Sequence, residues 1–334
     1  HRITTSWIQK LPRARRYYSY YLPLFPFAIE QFDLSGYDLV VSSDAVVSKG
    51  VITRPETCHI CYCHTPMRYA WSSYNTYLRA IESSWKRRLV PFFMNYVRSW
   101  DLASASRVDY FVANSQTVAN RIAKYYRREA RVIFPPVAVS RFSIAESIDD
   151  YFLAVGQLVP YKRFDLAIEA FNELKYPLQI VGEGPEYSKL KKAAGKNIRF
   201  VGRLSDAELR RSLSRCRALV FPGEEDFGMV VVEAHASGRP VIALARGGAL
   251  ETVIPEVNGL LFARETAESL TDAIQRFVSL QSRFQPQLIR ETAAAFDEDR
   301  FSTEVRNYVS DKAEEHWRRF RIAPRRWTPA NRDP

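Results

Sequence analysis

The chain has 334 residues, 46% hydrophobic and 25% charged, enough apolar material for two ordinary cores and too much for a disordered chain. No window approaches the roughly 18–20 consecutive apolar residues that span a bilayer, which argues against an integral helical membrane protein. A net charge of +11 favours acidic partners, but no helix-turn-helix, RNP or zinc-finger pattern accompanies it, so nucleic acid is not expected among them.

In chain order, basic residues first cluster with aromatics from Lys10 to Tyr21, including Arg13, Arg15, Arg16, Tyr17 and Tyr18. Trp85–Arg88 and His316–Trp327 repeat the combination. Such clusters suit contact with an anionic membrane surface and equally suit solvated faces. Tyr37–Val41, His59–Tyr62 and Tyr110–Ala113 read as short apolar strands, with helices over Ser84–Ala105 and Gln116–Tyr126. Cys58, Cys61 and Cys63 look like metal ligands, but a zinc site wants a turn between paired ligands and a second pair, and Cys216 stands alone. They are read as residues of a buried strand and as free thiols, consistent with a cytoplasmic protein.

Phe134-Pro-Pro-Val137 divides the chain. Beyond it, strands are expected at Tyr151–Val155, Leu178–Val181, Ile198–Val201, Ala218–Phe221 and Val241–Ala243. Helices are expected at Phe164–Leu174, from the capping box Ser205-Asp-Ala-Glu208 to Cys216, at Ala267–Phe277 and at Phe301–Phe320. Two sets of alternating strands and helices predict two doubly wound α/β domains, 1–136 and 137–310, whose parallel sheets face a central cleft. Residues 311–334 are expected to be a terminal helix and tail, with a return to the first domain as one expectation for them. With three strands against five, and a start at His1 in polar sequence, the first domain is expected to lack one or two N-terminal strands.

The richest segment is Pro222–Val241. An apolar strand enters a loop dense with carboxylates and glycine; a short helix follows and ends at Gly238, before Pro240 and the next strand. Glu225 stands in the loop and Glu233 inside the helix. The carboxyl end of a strand is where such sheets bind ligands, and a helix start offers backbone N–H groups and positive potential. N–H groups suit phosphate and carboxylates suit sugar hydroxyls, so the ligand read from the residues is a nucleotide sugar.

These residues resemble those of the GT-B-fold, retaining, family 4 glycosyltransferases, and among them the bacterial GDP-mannose-dependent mannosyltransferases of polysaccharide and O-antigen assembly. The resemblance covers nearly the whole chain. It is carried by Tyr62-Cys-His-Thr-Pro-Met-Arg-Tyr-Ala-Trp71, Val112-Ala-Asn-Ser115, Gly156-Gln-Leu-Val-Pro-Tyr-Lys-Arg163, Val181-Gly-Glu-Gly-Pro185, Gly202-Arg-Leu-Ser205, the Glu225–Glu233 pair and Gly247-Gly-Ala-Leu-Glu-Thr252.

The resemblance implies that Glu225 holds hydroxyls of the donor sugar, Glu233 the ribose, and Lys162 the diphosphate, whose growing charge it neutralises. Asp226, Phe227, Gly228 and Met229 supply N–H groups. Gln157 stands where the family usually has an arginine, and Arg163 either compensates or is a surface arginine. His64 is implied to touch the donor sugar near the reaction centre, with Arg68, Tyr69 and Trp71 on the acceptor side, whereas Asn114-Ser115 reads as a helix cap. The implied reaction transfers a hexose with retention, the leaving phosphate taking the acceptor's proton, so no glycosidase-like carboxylate pair is needed. Asp297-Glu-Asp299 has the DxD form of a metal signature but precedes a helix, where capping is the expected role. The expectation is therefore no metal and no cofactor, with GDP-mannose as donor and a lipid-linked or polysaccharide glycan as acceptor. UDP-glucose or another nucleotide sugar, and a non-catalytic nucleotide-sugar-binding protein, are the alternatives. The implied place is the cytoplasm, peripherally on the inner face of the membrane.

Overall fold

The computed structural model describes residues 3–14, 18–79, 81 and 83–322. Arg15, Arg16, Tyr17 and Trp327 of the basic aromatic clusters lie outside the described residues. The chain forms two compact units, residues up to Ile133 together with those from Thr303 onward, and Phe134–Ser302.

The first unit is built on a parallel sheet in the order β1 (Leu39–Asp44), β2 (Cys58–Cys63), β3 (Tyr110–Ala113) and β4 (Ala130–Val132). Leu39 lies opposite Cys58 and Asp44 opposite Cys63. β1 runs past Val41 into Ser42, Ser43 and Asp44, because these polar residues find partners: the Ser42 hydroxyl lies 2.8 Å from His59 Nε2, and Asp44 meets Lys49. β4 exceeds the expected three strands. Three residues long at the sheet edge, it carries Arg131 and has no apolar run to announce it. Cys61 and Cys63 pack with Phe111 and Ile122 in the core. The Ser115 hydroxyl accepts the Val118 amide at 3.1 Å and so caps the Gln116–Tyr126 helix, as expected.

The second unit contains β5 (Phe152–Val155), β6 (Leu178–Val181), β7 (Ile198–Gly202), β8 (Leu219–Phe221), β9 (Val241–Leu244) and β10 (Gly259–Phe262). All are parallel, in the spatial order β10-β9-β8-β5-β6-β7. That order is doubly wound, with its direction of travel reversing between β5 and β8. β10 is a sixth strand where five are expected; Gly259-Leu-Leu-Phe262 has no β-branched residue to mark it. Expected helices form within a few residues of their predicted ends, and the Ser205–Glu208 capping box is present. The last helix begins at Glu298, with the Asp297 carboxylate accepting the Asp299 amide at 3.1 Å, the geometry of a cap.

Phe152 anchors the core of this unit, edge-on to Phe171 and Phe277 at 5.2 and 5.8 Å between ring centroids and without exposure. Phe152→Ala removes a ring that the packed neighbours cannot replace, so stability in urea denaturation is expected to fall by about 3–5 kcal/mol. A loss below about 1 kcal/mol would contradict this account of the core.

Candidate functional site

Sheets of this kind bind ligands at the carboxyl ends of their strands, at the point where strand order reverses, here between β5 and β8. After β5, Gly156 and the exposed Gln157 lead to a single 3-10 turn, Pro160–Lys162. After β8 the chain passes Gly223, and a Cβ there would stand only 2.5 Å from the Tyr161 carbonyl and 2.7 Å from Lys162 Cα. The two loops therefore touch backbone to backbone. That approach brings the Lys162 ammonium into an ion pair with the Glu225 carboxylate, both side chains largely buried.

Glu225 is fixed through its main chain: its carbonyl accepts the Gly248 amide at 2.9 Å. Phe227, two residues on, is buried between Phe134 and Phe296. Gly228 then turns left-handed, at φ +85°, and the Met229–Ala236 helix starts with no side chain capping it. Its first N–H groups lack intrahelical partners and point where an anion is stabilised. Asp226 is half-buried in the same loop, and the Met229 side chain is exposed at the helix start. Glu233 lies about one turn further in. Burial, and then the nearby Asp206 carboxylate, hold its carboxyl above the ordinary range. His235 is wholly buried, which pushes its imidazole down to about 3 and keeps it neutral.

Arg163 is otherwise engaged. Its guanidinium donates to Asp165 at 3.0 Å through Nε and again at 3.0 Å through Nη2, and it also pairs with Glu265. Arg246 shares Glu265 at 3.0 Å. The Glu265 contact joins residues 102 apart and leaves no local sign in the sequence.

On the first unit, His64 follows β2. Its amide donates to the Asp44 carbonyl at 2.7 Å, and its Nε2 lies 2.8 Å from the Ser43 hydroxyl. Beneath this strand end sits a fully buried ammonium that sequence reading missed. Lys49 Nζ lies 3.4 Å from Asp44 and 2.5 Å from Asp101. Burial opposes its charge, but the two carboxylates outweigh that and hold the ammonium above its ordinary range. The other Asp101 oxygen accepts Trp71 Nε1 at 2.7 Å and the Tyr126 hydroxyl at 2.8 Å. Trp71 also stacks on Tyr125 at 4.8 Å, so its ring is engaged inside the unit. Arg68 and Tyr69 are half-buried in the same segment, with the Arg68 carbonyl accepting the Ser73 amide at 2.8 Å.

The family model of the glycosyl transferases group 1 matches residues 140–295, spanning the loops after β5 and β8. An O-antigen chain mannosyltransferase C of Escherichia coli is 27% identical over 203 residues, 55% of this chain and 53% of that protein. This chain is similar to the GT-B glycosyltransferases, O-antigen mannosyltransferases among them. An uncharacterized glycosyltransferase of Methanocaldococcus jannaschii is 31% identical over 176 residues, 51% of this chain and 50% of its own length. The chain thus spans about half the length of these curated relatives. Sucrose-phosphate synthase from Thermosynechococcus elongatus shares the GT-B fold, with a TM-score of 0.66 at 21% identity over 93% of this chain and 79% of that one.

In this GT-B chain Glu233 offers a test that separates stability from binding. Its folded-state pKa is raised, so the stability it contributes is complete below the ordinary carboxyl range and is lost as pH rises through the folded value. Glu233→Gln removes that loss. The ligand-free variant is expected to match the wild type near pH 4 and to melt no lower, and somewhat higher, at pH 7. A clearly lower melting temperature at pH 7 would show that the ionised carboxylate stabilises the fold.

Proposed function

We propose that the chain is a retaining hexosyltransferase that moves mannose from GDP-mannose to a lipid-linked or polysaccharide acceptor. One observation carries the reading: Lys162 and Glu225 pair beside an uncapped helix start at the reversal point of the sheet. A diphosphate takes the ammonium and the Gly228–Met229 end of the helix; Glu225 is released to the sugar hydroxyls, and Glu233 takes the ribose. Gln157 offers an amide to a phosphate oxygen. As the glycosidic bond breaks, charge grows on the leaving phosphate, and Lys162 is placed to stabilise it more in the transition state than in the ground state. The phosphate takes the acceptor's proton, with no metal in the scheme, and His64 keeps its expected role toward the donor sugar. The Escherichia coli relative's name supports mannose; UDP-glucose is the alternative donor.

Calorimetric titration and a donor-turnover assay test this reading. GDP is expected to bind more tightly than UDP, and Glu225→Gln to bind GDP within a few-fold of wild type while losing roughly 100-fold or more in turnover. Tighter UDP binding moves the donor to a uridine sugar. Nucleotide binding without turnover of any donor leaves a nucleotide-sugar-binding protein.

Membrane contact belongs to the same reading and rests on a separate observation. Along the Ser84–Ala105 helix, Trp85, Leu89, Phe92, Phe93 and Tyr96 fall on one stripe and are exposed, Phe92 at 76%, while Asp101 and Ala105, away from the stripe, are buried. Arg88 borders the stripe and is exposed. Aromatics beside arginines suit the headgroup region of an anionic bilayer. None of the described helices is long and apolar enough to cross a membrane. Wild-type protein is expected to float with phosphatidylglycerol vesicles, and Trp85→Ser with Phe92→Ser to stay in solution; equal behaviour of the two proteins would refute the contact.

A further inference from the structure

The first unit holds a second group of chemistry-bearing side chains, at the end of the sheet opposite His64. Cys58 opens β2, Asp109 immediately precedes β3, and His316 comes from the last helix. One ligand atom from each lies within 4.8 Å of the other two. Cys58 is fully buried and His316 is 3% exposed. His316 Nδ1 stands 3.8 Å from an Asp109 oxygen, too far for a hydrogen bond, and its Nε2 is buried with no hydrogen-bond partner among the described residues. A buried imidazole left unsatisfied in this way asks for a reason.

We propose that Cys58, Asp109 and His316 form a binding site for a divalent cation of the zinc type, which fastens the last helix to the sheet. Thiolate, imidazole and carboxylate are the donor set that Zn2+ takes, at about 2.0–2.3 Å from the metal. Tetrahedral ligands then stand roughly 3.5 Å apart, so the present spacing closes by small side-chain rotations. Supporting features are in place. The second Asp109 oxygen accepts the His59 amide at 2.8 Å, which orients the carboxylate and leaves its first oxygen toward His316. Asp109 is also part of the lining of an open cavity of ≈ 1020 Å³, with Tyr110, Tyr308 and Lys312, which gives an ion a way in and water a place as fourth ligand. The Lys312 carbonyl lies 4.0 Å from the Cys58 sulfur. Cys61 and Cys63 take no part, since they pack in the core with Phe111 and Ile122.

Binding replaces the thiol proton by the metal and releases that proton to solvent, with no change of oxidation state. Co2+ reports the site because a cobalt–thiolate bond absorbs in the near ultraviolet. The full chain, stripped with EDTA, is expected to take up one equivalent of Co2+ with this band. Zn2+ should abolish the band and raise the melting temperature. Cys58→Ser should lose the band entirely, and His316→Gln should weaken Co2+ binding roughly tenfold or more. Should Cys58→Ser fold poorly, His316→Gln and Asp109→Asn read the same site from two other elements. Absence of a thiolate band in the wild type overturns the proposal, as does a band that these variants leave unchanged.

Discussion

The candidate donor site depends on how closely two loops approach at the one place where the second sheet changes direction. The loop after β8 lies against the loop after β5 so tightly that position 223 has no room for a Cβ. Only that approach lets a lysine from one loop neutralise a glutamate from the other. Main-chain contacts hold the carboxylate's backbone, through the Gly248 amide, while the side-chain partnership is one that a ligand can exchange. The ammonium and the carboxylate satisfy each other, and each has the chemistry for a different half of the proposed ligand, diphosphate and sugar.

Charge placement around the pair follows from the same packing. Arg163, next to Lys162 in sequence, is turned away by a left-handed backbone, φ +53°, and taken up by Asp165 and Glu265. The positive charge left at the strand ends is then that of Lys162 and the helix start rather than of an arginine pair. Glu233 is held in the same place against its own ionisation, first by burial and then by the Asp206 carboxylate.

Much of this was legible in the sequence because its causes are local. Val- and Ile-rich strands, the Ser205 and Ser115 caps and the Pro222–Val241 segment announce themselves within a few residues. What was not legible is set by distant partners. β4 and β10 are strands because neighbours accept them at an edge, not because their composition asks for it. Lys49 reads as a surface residue until Asp101, 52 positions away, is placed beside it. The Ser84–Ala105 helix is amphipathic in either reading, and only packing shows that its aromatic stripe is the outward one. The cysteine-rich strand misleads in the opposite way: its motif spacing means little, and Cys58 gains its neighbours from Asp109, just before β3, and from the last helix.

The central claim is that the Lys162–Glu225 pair is exchanged for a nucleoside diphosphate sugar at the start of the Met229–Ala236 helix. A crystal structure of the protein with GDP tests it most directly. The account predicts phosphate density at the Gly228 and Met229 amides, the ribose at Glu233, and Lys162 moved from Glu225 onto the diphosphate. Nucleotide bound elsewhere, or at the helix start with Lys162 still paired to Glu225, would contradict it.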